Sequence, residues 1–285
     1  MNLQSVFPSA QAPIVTRGDF CFGLLPGPPE KGANPAPIRY GLGRSHVAHY
    51  IDLHCHILPG LDDGAPDLAT SMEMLRELVD LGFSEICATP HQRNGLFMPT
   101  EAAIAQALEE LRKEAGKAQP GVRVRLGAEN YWDEILLERL RKHTVPCYDG
   151  RRAFLCEVNP VLLPPRLDEA LFEIRLAGCL PVMAHPERYL PVQREPGFAE
   201  AMARQAALVV DLEALAGTRP RAESKTARRL VEEGLAHAAA SDLHEPESSA
   251  DVGEGIAWIG KRMGPTTVTR LLEENPRRIL GGELP

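Results

Sequence analysis

No segment of this sequence approaches the roughly 18 consecutive apolar residues of a membrane-spanning helix. The N-terminus also lacks a basic start followed by an apolar run, so neither membrane insertion nor a secretory leader is expected, and a cytoplasmic location follows. Net positive charge is missing too. The formal charge of −8 at pH 7 argues against a nucleic-acid partner, because that affinity comes mainly from Lys and Arg on phosphates. An acidic chain instead concentrates cations. Among the six cysteines there is no CxxC pair, and Cys55, Cys87, Cys156 and Cys179 lie inside apolar runs. They point to reduced core residues rather than a disulfide framework.

What is present falls into two parts. Residues 1–46 carry Pro8, Pro13, Pro26, Pro28, Pro29, Pro35 and Pro37 among glycines, without sustained apolar periodicity, and are expected to form a loosely ordered extension. Residues 47–285 alternate short apolar runs of strand character with longer segments of helical spacing. The runs are "VAHYIDLHCH", "SEICATPH", "VRVRLGAE", "AFLCEV", "LPVMAH", "ALVVDLE" and "LAHAAASDLH". Helices are expected over 67–81, 100–115, 133–142, 168–177, 197–205, 222–233, 251–263 and 265–274, with Asp67 as an N-cap. This alternation predicts parallel βαβ units in an α/β fold, and about seven units suit a closed or nearly closed barrel; an open doubly wound sheet is the alternative.

Each run ends in a residue able to bind a metal or move a proton: His54 and His56, His91, Glu129, Glu157, His185, Glu213, then Asp242 and His244. In a parallel barrel the C-terminal strand ends meet at one face, so these side chains converge although scattered in sequence. His54 and His56 stand at i and i+2 and project together, which turns Cys55 the other way. Asp242 and His244 repeat that spacing. A single histidine or acid at a strand end is ordinarily a hydrogen-bonded or solvated group, and Glu213 is assigned to that class. The rest, as a set, point to a metal centre. Nitrogen and carboxylate donors without thiolate favour Zn, Mn or Fe, and their number implies two or three ions sharing bridging carboxylates, a cluster suited to metal-assisted hydrolysis.

A thiol mechanism competes, since "CATPHQR" places Cys87 and Arg93 at the Cys-x5-Arg spacing of cysteine phosphatases. That loop needs free backbone amides, and here it contains no glycine and one proline. The segment fits better as a strand ending at His91.

The motifs "DLHCHILPGLDDG", "ATPH", "GAE", "AHPERY" and "SDLH", in this order, resemble the polymerase and histidinol phosphatase (PHP) superfamily. The closest likeness is to its bacterial tyrosine phosphatases of capsule and exopolysaccharide synthesis, over about Tyr50 to Leu280. The resemblance implies a distorted (β/α)7 barrel with three divalent ions, manganese first, with iron or zinc as alternatives. It implies His54, His56, Glu129 and Asp242 as ligands of one ion; Glu129 bridging to a second held with Glu157 and His185; and Asp63, His91 and His244 as a third set, leaving Asp62 structural. Arg188 and Arg93 are then placed to pair with phosphate oxygens, a site histidine such as His185 supplies a proton, and Phe97 and Tyr189 line the entry or pack. The implied partner is a phosphotyrosine protein, an autophosphorylated bacterial tyrosine kinase controlling polysaccharide export.

One departure stands out. The family often follows the last histidine with Asn and a nearby Arg, whereas this chain reads "SDLHEPESSADVGEG", with Glu245 and no Arg. Two alternatives therefore accompany the expected activity: a PHP phosphoesterase for a small phosphomonoester such as histidinol phosphate, and a catalytically weak metal-binding partner protein.

Overall fold

The computed structural model describes residues 48–285; the expected extension over 1–46 lies outside them. Nine strands appear among the described residues: β1 (Tyr50–Cys55), β2 (Phe83–Ala88), β3 (His91–Gln92), β4 (Arg123–Leu126), β5 (Glu129–Tyr131), β6 (Ala153–Glu157), β7 (Leu180–Ala184), β8 (Ala207–Asp211) and β9 (Ala238–Ala240). All pair in parallel, in one sheet of order β1-β2-β4 and another of order β3-β5-β6-β7-β8-β9. The seven apolar runs account for all nine. Pro90 has no amide to give a ladder and splits the second run into β2 and β3. Gly127 splits the third into β4 and β5, and a Cβ there would lie 2.8 Å from the Tyr148 ring.

The two sheets run into each other along β2–β3 and β4–β5 and meet edge to edge at β1. Gly127 N donates to Ala88 O and Glu129 N to Pro90 O, while Cys55 and Leu243 form a parallel bridge flanked by His56 N to Leu243 O and Asp242 N to His54 O.

Helices fill the connections as their spacing requires. The helix Leu68–Asp80 starts where the Asp67 side chain accepts from Thr70 N, and Asp133 and Thr100 cap Glu134–Lys142 and Glu101–Ala118 in the same way. Met74, Leu75 and Leu78 face inward at helical spacing. The expected 265–274 segment is a short α-helix, Pro265–Thr269, that widens into a π turn, Arg270–Glu274.

Two apolar layers result. One packs the long helices against Phe154, Cys156, Met183, Leu208 and Val210. The other takes the alternate strand residues, Leu155, Val182, Val209 and Ala240 among them, and contains none from the long helices. Continuing its two-residue period outward reaches Glu157, Asp211 and Asp242, so the pleat itself aims these acids beyond that layer. In β1 a register irregularity between Asp52 and Cys55 breaks the period. Ile51 and Leu53 join the second layer, Cys55 joins the first, and His54 and His56 are released toward the acids.

Candidate metal centre

The structure brings His54, His56, Asp63, His91, Glu129, Glu157, His185, Asp242 and His244 to one end of the sheets, in four overlapping groups. These are His56, Asp63, His91 and His244; His54, His56 and Glu129; His54, His185 and Asp242; and His91, Glu129 and Glu157. Within each, the donor atoms lie within 4.8 Å of one another. His185 thus clusters with His54 and Asp242 rather than with Glu157, although its Nε2 is 3.0 Å from Glu129 Oε1. Glu213 joins none of them; it faces Arg219 at 2.9 Å.

At the centre, His54 Nε2 and His56 Nε2 are 3.0 Å apart. Glu129 Oε2 lies 3.2 Å from the first and 3.4 Å from the second, and Asp242 Oδ1 lies 3.1 and 3.5 Å away. His91 Nδ1 approaches Glu129 Oε2 to 2.9 Å but off the line of a hydrogen bond, and it and Glu157 Oε2 are buried without a hydrogen-bond partner. Burial and the charge of Glu129 push the Glu157 carboxyl up to about 7. Buried lone pairs so crowded, with unspent acceptors among them, have the chemistry of a divalent-cation cage, and no thiolate enters it. The donor set therefore fits divalent ions.

Surrounding residues fix these donors. Asp62, beside Asp63 in "LDDG", accepts from His56 Nδ1 at 2.9 Å and from His91 N at 2.9 Å, which leaves His56 Nε2 as the atom facing the cluster. Asp52 is fully buried and accepts from Ser241 N at 3.0 Å, tying β1 to the segment that carries Asp242. His185 and Asp242 both hold left-handed backbone, φ 32° and 49°, a cost that concentrates at functional positions. Burial and Arg188 lower the His185 imidazole to about 4.

Arg188 Nη2 donates to Asp242 Oδ2 and, at 2.9 Å, to Asp211 Oδ2. Arg93 lies over the Tyr131 ring at 4.2 Å, and Phe97 stacks on His91 with centroids 5.6 Å apart. Tyr189 does not line the entry. It is fully buried, its hydroxyl donating to Ala184 O at 2.7 Å, because its aromatic body sits in the helix-facing layer. Cys87 is fully buried and burial pushes its thiol well up, which removes the nucleophile the thiol mechanism requires.

Parallel strands delivering imidazoles and carboxylates to one shared edge define an α/β protein with a metal-binding centre. The family described as "Capsular polysaccharide synthesis, CpsB/CapC" matches residues 50–281, and the chain belongs to it. It is 32% identical over 238 residues to the tyrosine-protein phosphatase YwqE of Bacillus subtilis, covering 81% of this chain and 91% of the relative. It is 28% identical over 241 residues to the tyrosine-protein phosphatase CpsB of Streptococcus pneumoniae, covering 82% and 99%. A crystal structure from work on YwqE and CpsB, described there as unique metal-dependent tyrosine phosphatases, superposes with a TM-score of 0.75 at 31% identity over 82% of this chain and 95% of that one. Among the described residues, no helix is long and apolar enough to cross a membrane.

Proposed function

We propose that this protein is a metal-dependent, cysteine-independent phosphotyrosine phosphatase. Its protein substrate is a bacterial tyrosine kinase, autophosphorylated and controlling capsule or exopolysaccharide synthesis in the cytoplasm. Residues 47–285 form the catalytic unit, with the two sheets as the walls of a distorted (β/α)7 barrel. The observation that carries this reading is the overlap of the four donor groups, in which His54, His56, His91 and Glu129 each serve two.

Two or three divalent ions, manganese first, would be held by His54, His56, Asp63, His91, Glu129, Glu157, His185, Asp242 and His244. When bound they supply the positive charge that grips a phosphoryl group and acidifies water beside it. The chain does the rest. Arg188, fixed through Nη2 on Asp242 and Asp211, turns its remaining N–H groups toward phosphoryl oxygens. Arg93, braced on Tyr131, supplies a second guanidinium. Phe97, stacked on His91, offers an edge to the substrate ring. The leaving tyrosyl oxygen takes its proton from a site histidine or from water; His185, counted among the ion ligands and lowered to about 4, is neutral at pH 7 and has no proton to give.

The test is phosphate release by the manganese-loaded protein from a phosphotyrosine peptide, compared with histidinol phosphate. We expect the peptide to be preferred and a chelator to abolish release. Preference for histidinol phosphate would instead make this a small-molecule phosphoesterase, and peptide binding without release a non-catalytic partner protein.

A further inference from the structure

Arg188 does not stand alone at its end of the sheets. Arg219, in the loop that follows β8 and the short helix Leu212–Ala216, brings Nε to 3.3 Å from Asp211 Oδ2, the same oxygen that Arg188 Nη2 contacts at 2.9 Å. Glu213 Oε2, 2.9 Å away, braces it from the other side. Both arginines remain partly open, with side-chain exposures of 25% for Arg188 and 32% for Arg219. Arg188 spends only Nη2 on hydrogen bonds, while Arg219 Nε, buried, lies at ion-pair distance from both carboxylates but off the line of a hydrogen bond. Their other guanidinium nitrogens make no further hydrogen bond among the described residues. The result is a cluster of unspent N–H donors around one buried carboxylate, a ready binder of carboxylate or phosphate oxygens.

The two arginines are not equivalent. Arg188 touches Asp242, a member of the donor groups, so the transferring phosphoryl falls to it. Arg219 touches none of the nine donors and sits one carboxylate further out. We propose that Arg219 is a specificity-determining residue that binds a second anionic group of the substrate, beside the phosphotyrosine. The preferred substrate class is then a phosphotyrosine segment with an acidic side chain or a second phosphate next to it. This rests on the phosphotyrosine reading above.

The experiment measures binding of fluorescent peptides to the full-length, manganese-loaded protein. Each peptide carries a non-hydrolysable phosphonate analogue of phosphotyrosine, with Glu before it, Glu after it, or Ala at both places. We expect one Glu peptide to bind about five- to tenfold more tightly than the Ala peptide, an advantage that shrinks with added salt. Arg219→Ala brings the ratio to about one, and Arg219→Lys keeps part of it. Replacing the Glu by a phosphoserine distinguishes carboxylate from phosphate preference, either being a second anion. Equal affinities in the wild type, or a ratio that Arg219→Ala leaves intact, overturn the inference. Equal weakening of all three peptides also overturns it, since Arg219 then only supports the local fold. If phosphotyrosine peptides are neither bound nor hydrolysed, the phosphatase reading itself fails and takes the inference with it.

Discussion

Asp62→Asn probes how strongly the centre depends on a residue outside its donor groups. Asp62 Oδ2 accepts from His56 Nδ1 and from the His91 amide, both at 2.9 Å, and Oδ1 accepts from the Gly64 amide at 3.1 Å. Burial pushes this carboxyl up, yet the hydrogen bond and charge of His56, helped by the two amides, overcome it and bring the group down to about 2. An Asn has one oxygen for three donors. If it keeps His56 and His91, its NH2 group faces the Gly64 amide, and the negative charge behind the imidazole is gone in either orientation. Loss of such an orienting partner typically weakens metal affinity by 10- to 100-fold, about 1.4–2.7 kcal/mol. The unmatched donor costs the fold about 1–3 kcal/mol. Calorimetric titration of chelator-treated protein with Mn2+ at pH 7, alongside circular dichroism, reads both. Manganese affinity within twofold of wild type, in a folded variant, would refute the reasoning.

Three further outcomes are expected. Gly64→Ala places a Cβ 2.0 Å from the His56 carbonyl oxygen and 2.4 Å from His56 Cβ, so a loss of about 3 kcal/mol or more is expected in urea unfolding, and a wild-type midpoint would contradict it. Cys87→Ala keeps phosphatase activity within a fewfold and wild-type protein resists iodoacetamide, because the thiol is buried and its proton tightly held; strong inhibition by alkylation at Cys87 would revive the thiol mechanism. His237, lowered to about 4 by burial and by Arg270 and Arg278, accepts from Leu208 N through Nδ1 at 3.0 Å. The unfolded chain takes up this proton near pH 6.5 and the folded one only near 4, so stability falls as pH drops through that window, by up to about 3 kcal/mol. In His237→Asn, which retains an acceptor, the fall is shallower; identical acid slopes would refute the assignment.

Much of this was legible because local signals and global fold agree. Asp67 and Asp133 are short acids at the helix starts they cap, and the expected helices lie within a few residues of those observed. Eight of the nine residues stand at the ends of the apolar runs, and that repetition survives an error of a residue or two, whereas Asp63, in the "LDDG" loop, comes only with the family resemblance. The failures occur where tertiary contact decides. In "ALVVDLE" Glu213, set aside from the sequence, is already in a helix, whereas Asp211, which ends the strand and holds Arg188, goes unremarked there. For Tyr189 the sequence left lining the entry and packing open, and the long-range core decides for packing. Nothing local announces that Arg188 is shared between Asp211 and Asp242, since those partners lie 23 and 54 residues away.

The division of the strands into two sheets has a mechanical consequence. His54 rides on the three-stranded panel and His56 just beyond it, while His91, Glu129, Glu157 and His185 ride on or just beyond the strands of the six-stranded one. Any cation gripped by both acts as a rivet through the seam between them. Slow amide exchange in Tyr50–Cys55 would then report on how firmly the halves are fastened, and the same fastening would set how far the mouth can yawn to admit a bulky polypeptide.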